Sequence, residues 1–114
     1  MIKNKTKKTT LAEKKKVLSN MFAQGIGLMF SRKKPDFGLV FYFKKNLDVS
    51  IHNFFVFYSI DLIFLDEKKK VIEIKKCFKP FGVYFPKSKF TYLIEVVSGR
   101  AKESKTKVGD TIEF

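Results

Sequence analysis

The strongest constraint in this sequence is a pair of apolar runs on either side of a charged reversal. Ile60, Leu62 and Phe64 alternate with Asp61, Ile63 and Leu65, then Asp66-Glu67-Lys68-Lys69-Lys70 intervenes, and the chain returns through Val71 to Phe78. In the return, Ile72, Ile74 and Phe78 fall on one alternating set and Glu73, Lys75 and Cys77 on the other. A period of two is what a β-strand presents, because successive side chains point to opposite faces. The polar run is too short for a crossover helix and reads as a hairpin turn. The half-polar return predicts a half-exposed ribbon with Cys77 at its rim.

The same pattern recurs along the chain. Ile51 to Tyr58 is apolar on both alternating sets, which predicts a strand covered on both faces. Leu39 to Phe43 is a compact apolar strand after a turn over Arg32 to Gly38, and Lys44 to Asp48 reads as the next turn. Tyr92, Ile94 and Val96 mark another strand, and Gly109-Asp110 turns the chain into a last one that sends Ile112 and Phe114 to the core. Ile2 to Thr6 and Thr10 to Val17, separated by Lys7 to Thr9, read as a polar hairpin at a sheet edge, where lysines discourage edge-to-edge pairing.

Two short helices fit between the strands: Asn20 to Gly25, capped by Ser19, and Arg100 to Lys105 after Ser98-Gly99. Lys79 to Lys89 holds Pro80, Gly82 and Pro86 among Phe81, Tyr84 and Phe85, an ordered loop pinned by aromatics. The expected architecture is mainly β, a small β-barrel or sandwich of seven or eight strands with two short helices, in one domain over residues 1–114.

Composition supports a packed core. With 45% hydrophobic and 16% aromatic residues, ordering entropy is offset without disulfides or a structural metal. Cys77 and His52 are single residues of their kinds, too few for an internal bridge or a zinc set. A reducing compartment, the cytoplasm, is the expected home. Met1 to Thr10 has no apolar stretch of signal-peptide length. The run Phe54 to Leu65 is interrupted by Asp61 and is shorter than the roughly twenty residues of a membrane-spanning helix, so no membrane partner is expected.

The formal net charge is +13, the footprint of a protein that meets nucleic acid or another polyanion. Of the 24 Lys and Arg residues, however, only Arg32 and Arg100 are arginine, and specific phosphate or guanine contacts favour the arginine fork. A coding bias toward Lys and Phe explains the same totals, with the charge spread over a solvated surface. The densest clusters are Lys3, Lys5, Lys7 and Lys8, then Lys14 to Lys16, then Lys68 to Lys70. Their convergence in space decides between the two readings.

No catalytic set, cofactor motif or metal centre is recognisable, so catalytic residues, cofactors and metal ligands are all expected to be absent. The candidate ligand-binding residues are His52, Asp61, Arg32, Lys79, Tyr84 and Lys87. Asp61 sits in an apolar strand and must be solvated, hydrogen-bonded or shifted in pKa; accepting backbone amides at a strand junction is its structural alternative. His52 near a carboxylate could act as base, acid or ligand, against a satisfied core or rim histidine. Gly25, Gly27, Ser31 and Arg32 could cradle a phosphate, against a helix stop packed by Leu28, Met29 and Phe30. Lys79, Lys87 and Lys89 interleave with Phe81, Tyr84 and Phe85 as in single-strand nucleic-acid platforms, against core plugging by the rings. Cys77 reads as an inert thiol.

Four runs taken in order resemble the uncharacterised family called domain of unknown function 192: Gly27-Leu28-Met29-Phe30, Gly38-Leu39-Val40-Phe41, Ile60-Asp61-Leu62-Ile63-Phe64-Leu65-Asp66, and Lys107-Val108-Gly109-Asp110-Thr111-Ile112-Glu113-Phe114. The start Ser50-Ile51-His52, with Phe78-Lys79-Pro80 and Tyr84-Phe85-Pro86, is similar to the archaeal branch. Asn53 departs from the usual Met, Ser59 from the usual Pro, and Lys69 from a frequent Gly. The resemblance implies a compact β-barrel or sandwich and carries no activity. The leading functional expectation is a non-catalytic binding module for an anionic ligand, either nucleic acid or a phosphorylated small molecule. The alternatives are an enzyme or small-ligand pocket centred on His52 and Asp61, and a protein-interaction module.

Overall fold

The structure, a computed structural model, describes residues 1–18, 37–47, 51–52, 59–79 and 83–114. Among these residues the chain runs β1 (Ile2–Asn4), β2 (Thr9–Ala12), β3 (Lys14–Leu18), β4 (Phe37–Leu47), β5 (Ile51–His52), β6 (Ile60–Leu65), β7 (Val71–Phe78), β8 (Val83–Tyr84), β9 (Phe90–Val97), α1 (Arg100–Glu103) and β10 (Ile112–Glu113). The fold is mainly β, as the alternation predicts. The strands outnumber the seven or eight expected because Thr10 to Val17 divides into β2 and β3 and because Val83–Tyr84, expected within an ordered loop over Lys79 to Lys89, pairs with β5 as a two-residue strand. The expected helix at Asn20 to Gly25, the glycine loop with Arg32, and residues 53–58 of the expected Ile51 to Tyr58 strand lie outside the described residues.

The strands form a five-stranded sheet of order β3-β4-β9-β6-β7, a three-stranded sheet β10-β1-β2 and a two-stranded ribbon β5-β8. Only β3 and β4 pair in parallel within the large sheet. These open orders give a sandwich-like stack.

The predicted hairpin is β6 with β7, antiparallel, with Ile63 opposite Ile74. Every residue of β6 is buried, so β6 is a strand covered on both faces. Ile60, Leu62 and Phe64 pack on one face with Leu39, Phe41, Phe78, Phe90 and Leu93. Ile63 and Leu65 pack on the other with Val40, Ile94, Val96, Ile2, Leu11 and Ile112. The second face is closed by the three-stranded sheet and α1, and the first receives Tyr84 of the β5-β8 ribbon.

Three expectations are corrected. Thr10 to Val17 is two strands, because the chain changes sheets at Glu13: β2 pairs with β1 and β3 with β4. The N-terminal hairpin is not wholly an edge, since β1 lies between β10 and β2, with Ile2, Asn4, Leu11 and Ala12 all buried. Lys44 to Leu47 is strand and not turn, because pairing with β9 resumes at Leu47 opposite Phe90 after a register shift; tertiary pairing overrides composition there.

Asp61 is the joint of this layer. Between Ile60, paired with Phe78, and Leu62, paired with Lys75, β7 carries an extra residue, a β-bulge. Cys77 in this bulge has φ 55, and its N–H donates to Asp61 Oδ1 at 3.0 Å. Asp61 Oδ2 accepts the N–H groups of Gly99 at 3.1 Å and Ala101 at 3.0 Å. Gly99 takes the left-handed φ of 101 and brings no side-chain cap of its own, so Asp61 satisfies the first free amides of α1 across the fold.

Gly38 sits at a close approach of the two sheets: a Cβ there would lie 2.6 Å from Ile2 Cδ1, 3.0 Å from Val96 Cγ1 and 3.2 Å from the Ala12 Cβ. Asp61→Asn replaces an acceptor oxygen with a donor facing buried amides. Its expected cost is about 2–4 kcal/mol of unfolding free energy, measured by urea denaturation. Gly38→Ala overpacks the interface between the sheets, with an expected loss of about 1–3 kcal/mol by the same measurement. A midpoint equal to the parent's for either variant would remove the role assigned to that residue.

Candidate functional site

Among the described residues, two places gather polar chemistry. The first is the loop between β8 and β9. Glu73 of β7 reaches across to it: the Tyr84 hydroxyl donates to Glu73 Oε2, and the Lys87 and Ser88 N–H groups donate to Oε1 at 2.9 Å and 2.8 Å. Desolvation acts to raise the Glu73 pKa, but the Tyr84 hydroxyl and the bonds from Lys87 and Ser88 outweigh it and hold the carboxyl below its ordinary value. Burial, followed by the bond to Glu73 and its charge, pushes the Tyr84 phenol up to about 12. The Tyr84 ring packs between Phe64 at 5.8 Å and Phe78 at 6.4 Å, and Lys75 Nζ lies 5.9 Å from its centroid. Tyr84 is therefore a core plug with a polar tip. Lys79, Phe85, Lys87 and Lys89 stay exposed around it.

The second place is the end of the molecule where β10 begins. Asp110 is its post. Asp110 Oδ2 accepts Asn4 Nδ2 at 2.9 Å and the Lys107 N–H at 2.9 Å, while Oδ1 accepts Lys7 Nζ at 3.1 Å. Asn4, wholly buried, also donates to Thr106 Oγ1 at 3.0 Å and accepts the Lys7 N–H at 3.0 Å. Burial acts to raise the Asp110 pKa, but Asn4, Lys107 and Lys7 bind the charged form and leave it below its ordinary value.

Thr111, the next residue, is held from two sides. Its carbonyl accepts the Lys5 N–H at 2.9 Å, and it bridges to Lys70. The Ile112 N–H donates to the Lys69 carbonyl at 2.9 Å. The turns 5–8 and 66–70 and the loop 104–110 thus meet, and they bring Lys5, Lys7, Lys8, Lys68, Lys69, Lys70, Lys105 and Lys107 to one end. Asp110 neutralises Lys7, and Lys69 lies 4.3 Å from the centre of the Phe114 ring. The other six are exposed, and no ion pair engages them among the described residues.

The residues singled out from the sequence are not brought to one point. Arg32 lies outside the described residues, and His52 is described only as a backbone position in β5, opposite Val83. Asp61 turns to the α1 side of the large sheet, whereas the ribbon that carries His52 sends Tyr84 onto the opposite face. Lys79 and Lys87 are exposed near Tyr84, and both Lys87 and Tyr84 are bound to Glu73. Sequence reasoning passed over Glu73, Asn4 and Glu95. For Glu95 a signal existed, an acid within the apolar alternation Leu93, Glu95, Val97; Asn4 and Glu73 look like ordinary surface residues until their partners, distant in sequence, are seen.

A family model described as DUF192, uncharacterized ACR, matches residues 2–114. A UPF0127 protein of Pyrococcus horikoshii is 34% identical, covering 100% of this chain and 98% of the relative. A UPF0127 protein of Pyrococcus abyssi is 33% identical, with 100% and 97% covered. The fold is similar to a crystal structure of a protein of unknown function from Novosphingobium aromaticivorans, with TM-score 0.80, 19% identity, and 88% of this chain and 74% of that one covered. It is similar as well to a crystal structure from Sinorhizobium meliloti, with TM-score 0.80, 20% identity, and 87% and 79% covered.

The lowered pKa values fix a sign for acid stability. The unfolded chain takes up these protons first as pH falls, so the contributions of Asp110 and Glu73 are present above the ordinary carboxyl values and are lost as pH drops through them. The urea midpoint is expected to fall between about pH 5 and about pH 2. Asp110→Asn should lower the neutral-pH midpoint and reduce this slope; an unchanged slope would deny Asp110 its place as the post.

Proposed function

This chain belongs to the DUF192 family of uncharacterised proteins, and from that premise we propose that it is a non-catalytic binding module for a phosphate-bearing ligand. The single observation that carries the reading is the meeting of two lysine clusters, Lys5 to Lys8 and Lys68 to Lys70, with Lys105 and Lys107 around Thr111. A composition bias places lysines anywhere on a surface. Here three segments distant in sequence are pinned together by backbone hydrogen bonds and the Asn4–Asp110 network, and among the described residues Lys7 is the one lysine of the cluster in an ion pair, with Asp110. Such a cluster lowers its own repulsion by binding an anion.

The loop with Lys79 and Lys87 is the secondary arm. Its aromatic Tyr84 is engaged by Glu73, and the Lys87 and Ser88 amides that could reach a phosphate already bond a carboxylate. A pocket of His52 with Asp61 finds less support, because the Asp61 carboxylate is taken up by three backbone amides. The lone Cys77 supports a reducing, cytoplasmic setting. Among the described residues no helix is long and apolar enough to cross a membrane.

The test is binding of a fluorescent DNA duplex, a single strand and inorganic pyrophosphate as salt is raised. For a duplex, the slope of log K against log salt is expected at roughly −0.9 per phosphate neutralised. Lys5→Glu with Lys105→Glu should weaken binding about tenfold or more at low salt, since like charge then faces phosphate. Lys79→Glu with Lys87→Glu should do less. Binding of pyrophosphate but not DNA would assign a small phosphorylated ligand; no binding of either at low salt would overturn the reading.

A further inference from the structure

The loop between α1 and β10 gives the lysine end an apolar tip. Among the described residues the exposed large apolar side chains are Met1, Phe85 and Val108, and Val108, 63% exposed, is the one carried by the turns that meet around Thr111. Lys107 to Asp110 is a closed four-residue turn. The Asp110 N–H donates to the Lys107 carbonyl at 3.1 Å, and the Lys107 N–H donates to Asp110 Oδ2 at 2.9 Å. Gly109 takes a left-handed φ of 101 at the third position, where such a turn favours glycine. The Gly109 N–H donates to the Val71 carbonyl at 2.8 Å, and the Val71 N–H donates to the Asp110 carbonyl at 2.8 Å. A Cβ built on Gly109 would meet nothing within 4 Å, so the tip stands in open space on a base that these bonds fix.

Lysines crowd the same turns at a cost to the backbone. Among the described residues four other than glycine have positive φ, and three of them are Lys8 (φ 58), Lys69 (φ 64) and Lys105 (φ 58), one in each of the three segments that meet. A residue with a Cβ adopts that region reluctantly, and glycine or asparagine suits it better. Composition bias fills a surface with lysine but gives no reason to set one at the left-handed position of every turn. Together the segments 5–8, 66–70 and 104–110 carry eight lysines against Asp66, Glu67 and Asp110. Asp66 Oδ1 accepts the N–H groups of Lys68 and Lys70 at 2.9 Å, and Asp110 pairs with Lys7. No arginine stands in these segments, so this end offers point charges and not the fork that grips one phosphate in a fixed geometry.

We propose that this end docks on the surface of an anionic phospholipid bilayer, with the lysines on headgroup phosphates and Val108 in the apolar layer beneath them. The inference rests on the reading of the lysine end as a phosphate-binding surface and names the source of the phosphate. A bilayer places acyl chains directly below its phosphates, so an apolar tip among ammonium groups meets its complement there. Along a nucleic-acid backbone the neighbours of the phosphates are sugars, and the tip gains little. Docking of this kind needs no spanning segment. The expectation of no membrane partner rested on the lack of such a segment and does not bear on contact at the surface.

The experiment is flotation of the whole chain with vesicles of phosphatidylcholine, alone or with about a third of phosphatidylglycerol, at low and at high salt. Binding to the anionic vesicles alone, lost as salt is raised, is the expected result. The chain has no tryptophan, so Val108→Trp sets a single reporter at the tip. Its emission should shift to the blue on anionic vesicles and be quenched by brominated acyl chains. Lys76→Trp, at an exposed position toward the far end of β7, should bind the vesicles without either change. Val108→Ser should weaken vesicle binding about fivefold, through the lost apolar transfer. If pyrophosphate or the DNA duplex binds at low salt and anionic vesicles do not, the bilayer is overturned as the partner and the phosphate reading stands. If none of the three binds, both fall. Equal binding to pure phosphatidylcholine, or vesicle binding of the Val108→Trp protein without blue shift and quenching, also overturns the proposal. The wild-type arms decide even if a variant does not fold.

Discussion

A single carboxylate, that of Asp61, ties the bulge of β7 and the start of α1 to the central strand β6. Placed in a strand buried on both faces, it must find donors for its oxygens or leave a desolvated charge. The donors are all backbone: the bulge at Cys77 and the first free amides of α1 at Gly99 and Ala101. Each of those segments has its own strain or deficit, a left-handed Cys77 and a helix start without a side-chain cap. The carboxylate satisfies both at once, which sets the curve of β7 and seats α1 over the second face.

A similar logic operates at the other end, where Asp110 and Asn4 form a closed polar network between the N-terminal hairpin and the start of β10. Buried networks of this kind rigidify only when all members are satisfied. Here the donors of Asn4 both find oxygens, and Lys7 supplies a charge to Asp110. The functional consequence is indirect but physical: the network that closes the fold fixes the positions of lysine-bearing turns which would otherwise repel one another.

Among the described residues, the two acids treated most differently by the fold are Asp110 and Glu95. Donors surround the first and depress its pKa; apolar neighbours surround the second and raise it. The contrast shows why an acid's position in the sequence says little about its chemistry. Asp61 stands out in the sequence by its apolar neighbours alone, and the Gly109-Asp110 pair stands out as a turn. Glu95 sits in an equally apolar strand, but it lies opposite Leu39 and Leu62, and only that pairing separates it from a solvated rim acid. Tyr84 is legible as an aromatic in a basic loop, yet its role as a plug depends on Glu73, eleven positions earlier in the chain.

By itself the sequence determined the mainly β character, the β6-β7 hairpin, a strand through Tyr92, Ile94 and Val96, the short helix after Gly99, the inward direction of Ile112 and the family resemblance. Each of these follows from local information, a period of two or a turn residue at a fixed place. The tertiary structure alone decided the split of residues 9–18 between two sheets, the continuation of β4 through Leu47, the three backbone partners of Asp61 and the gathering of lysines around Thr111. Those outcomes rest on hydrogen bonds between residues far apart in sequence, and no local pattern records which distant backbone group will satisfy a given donor.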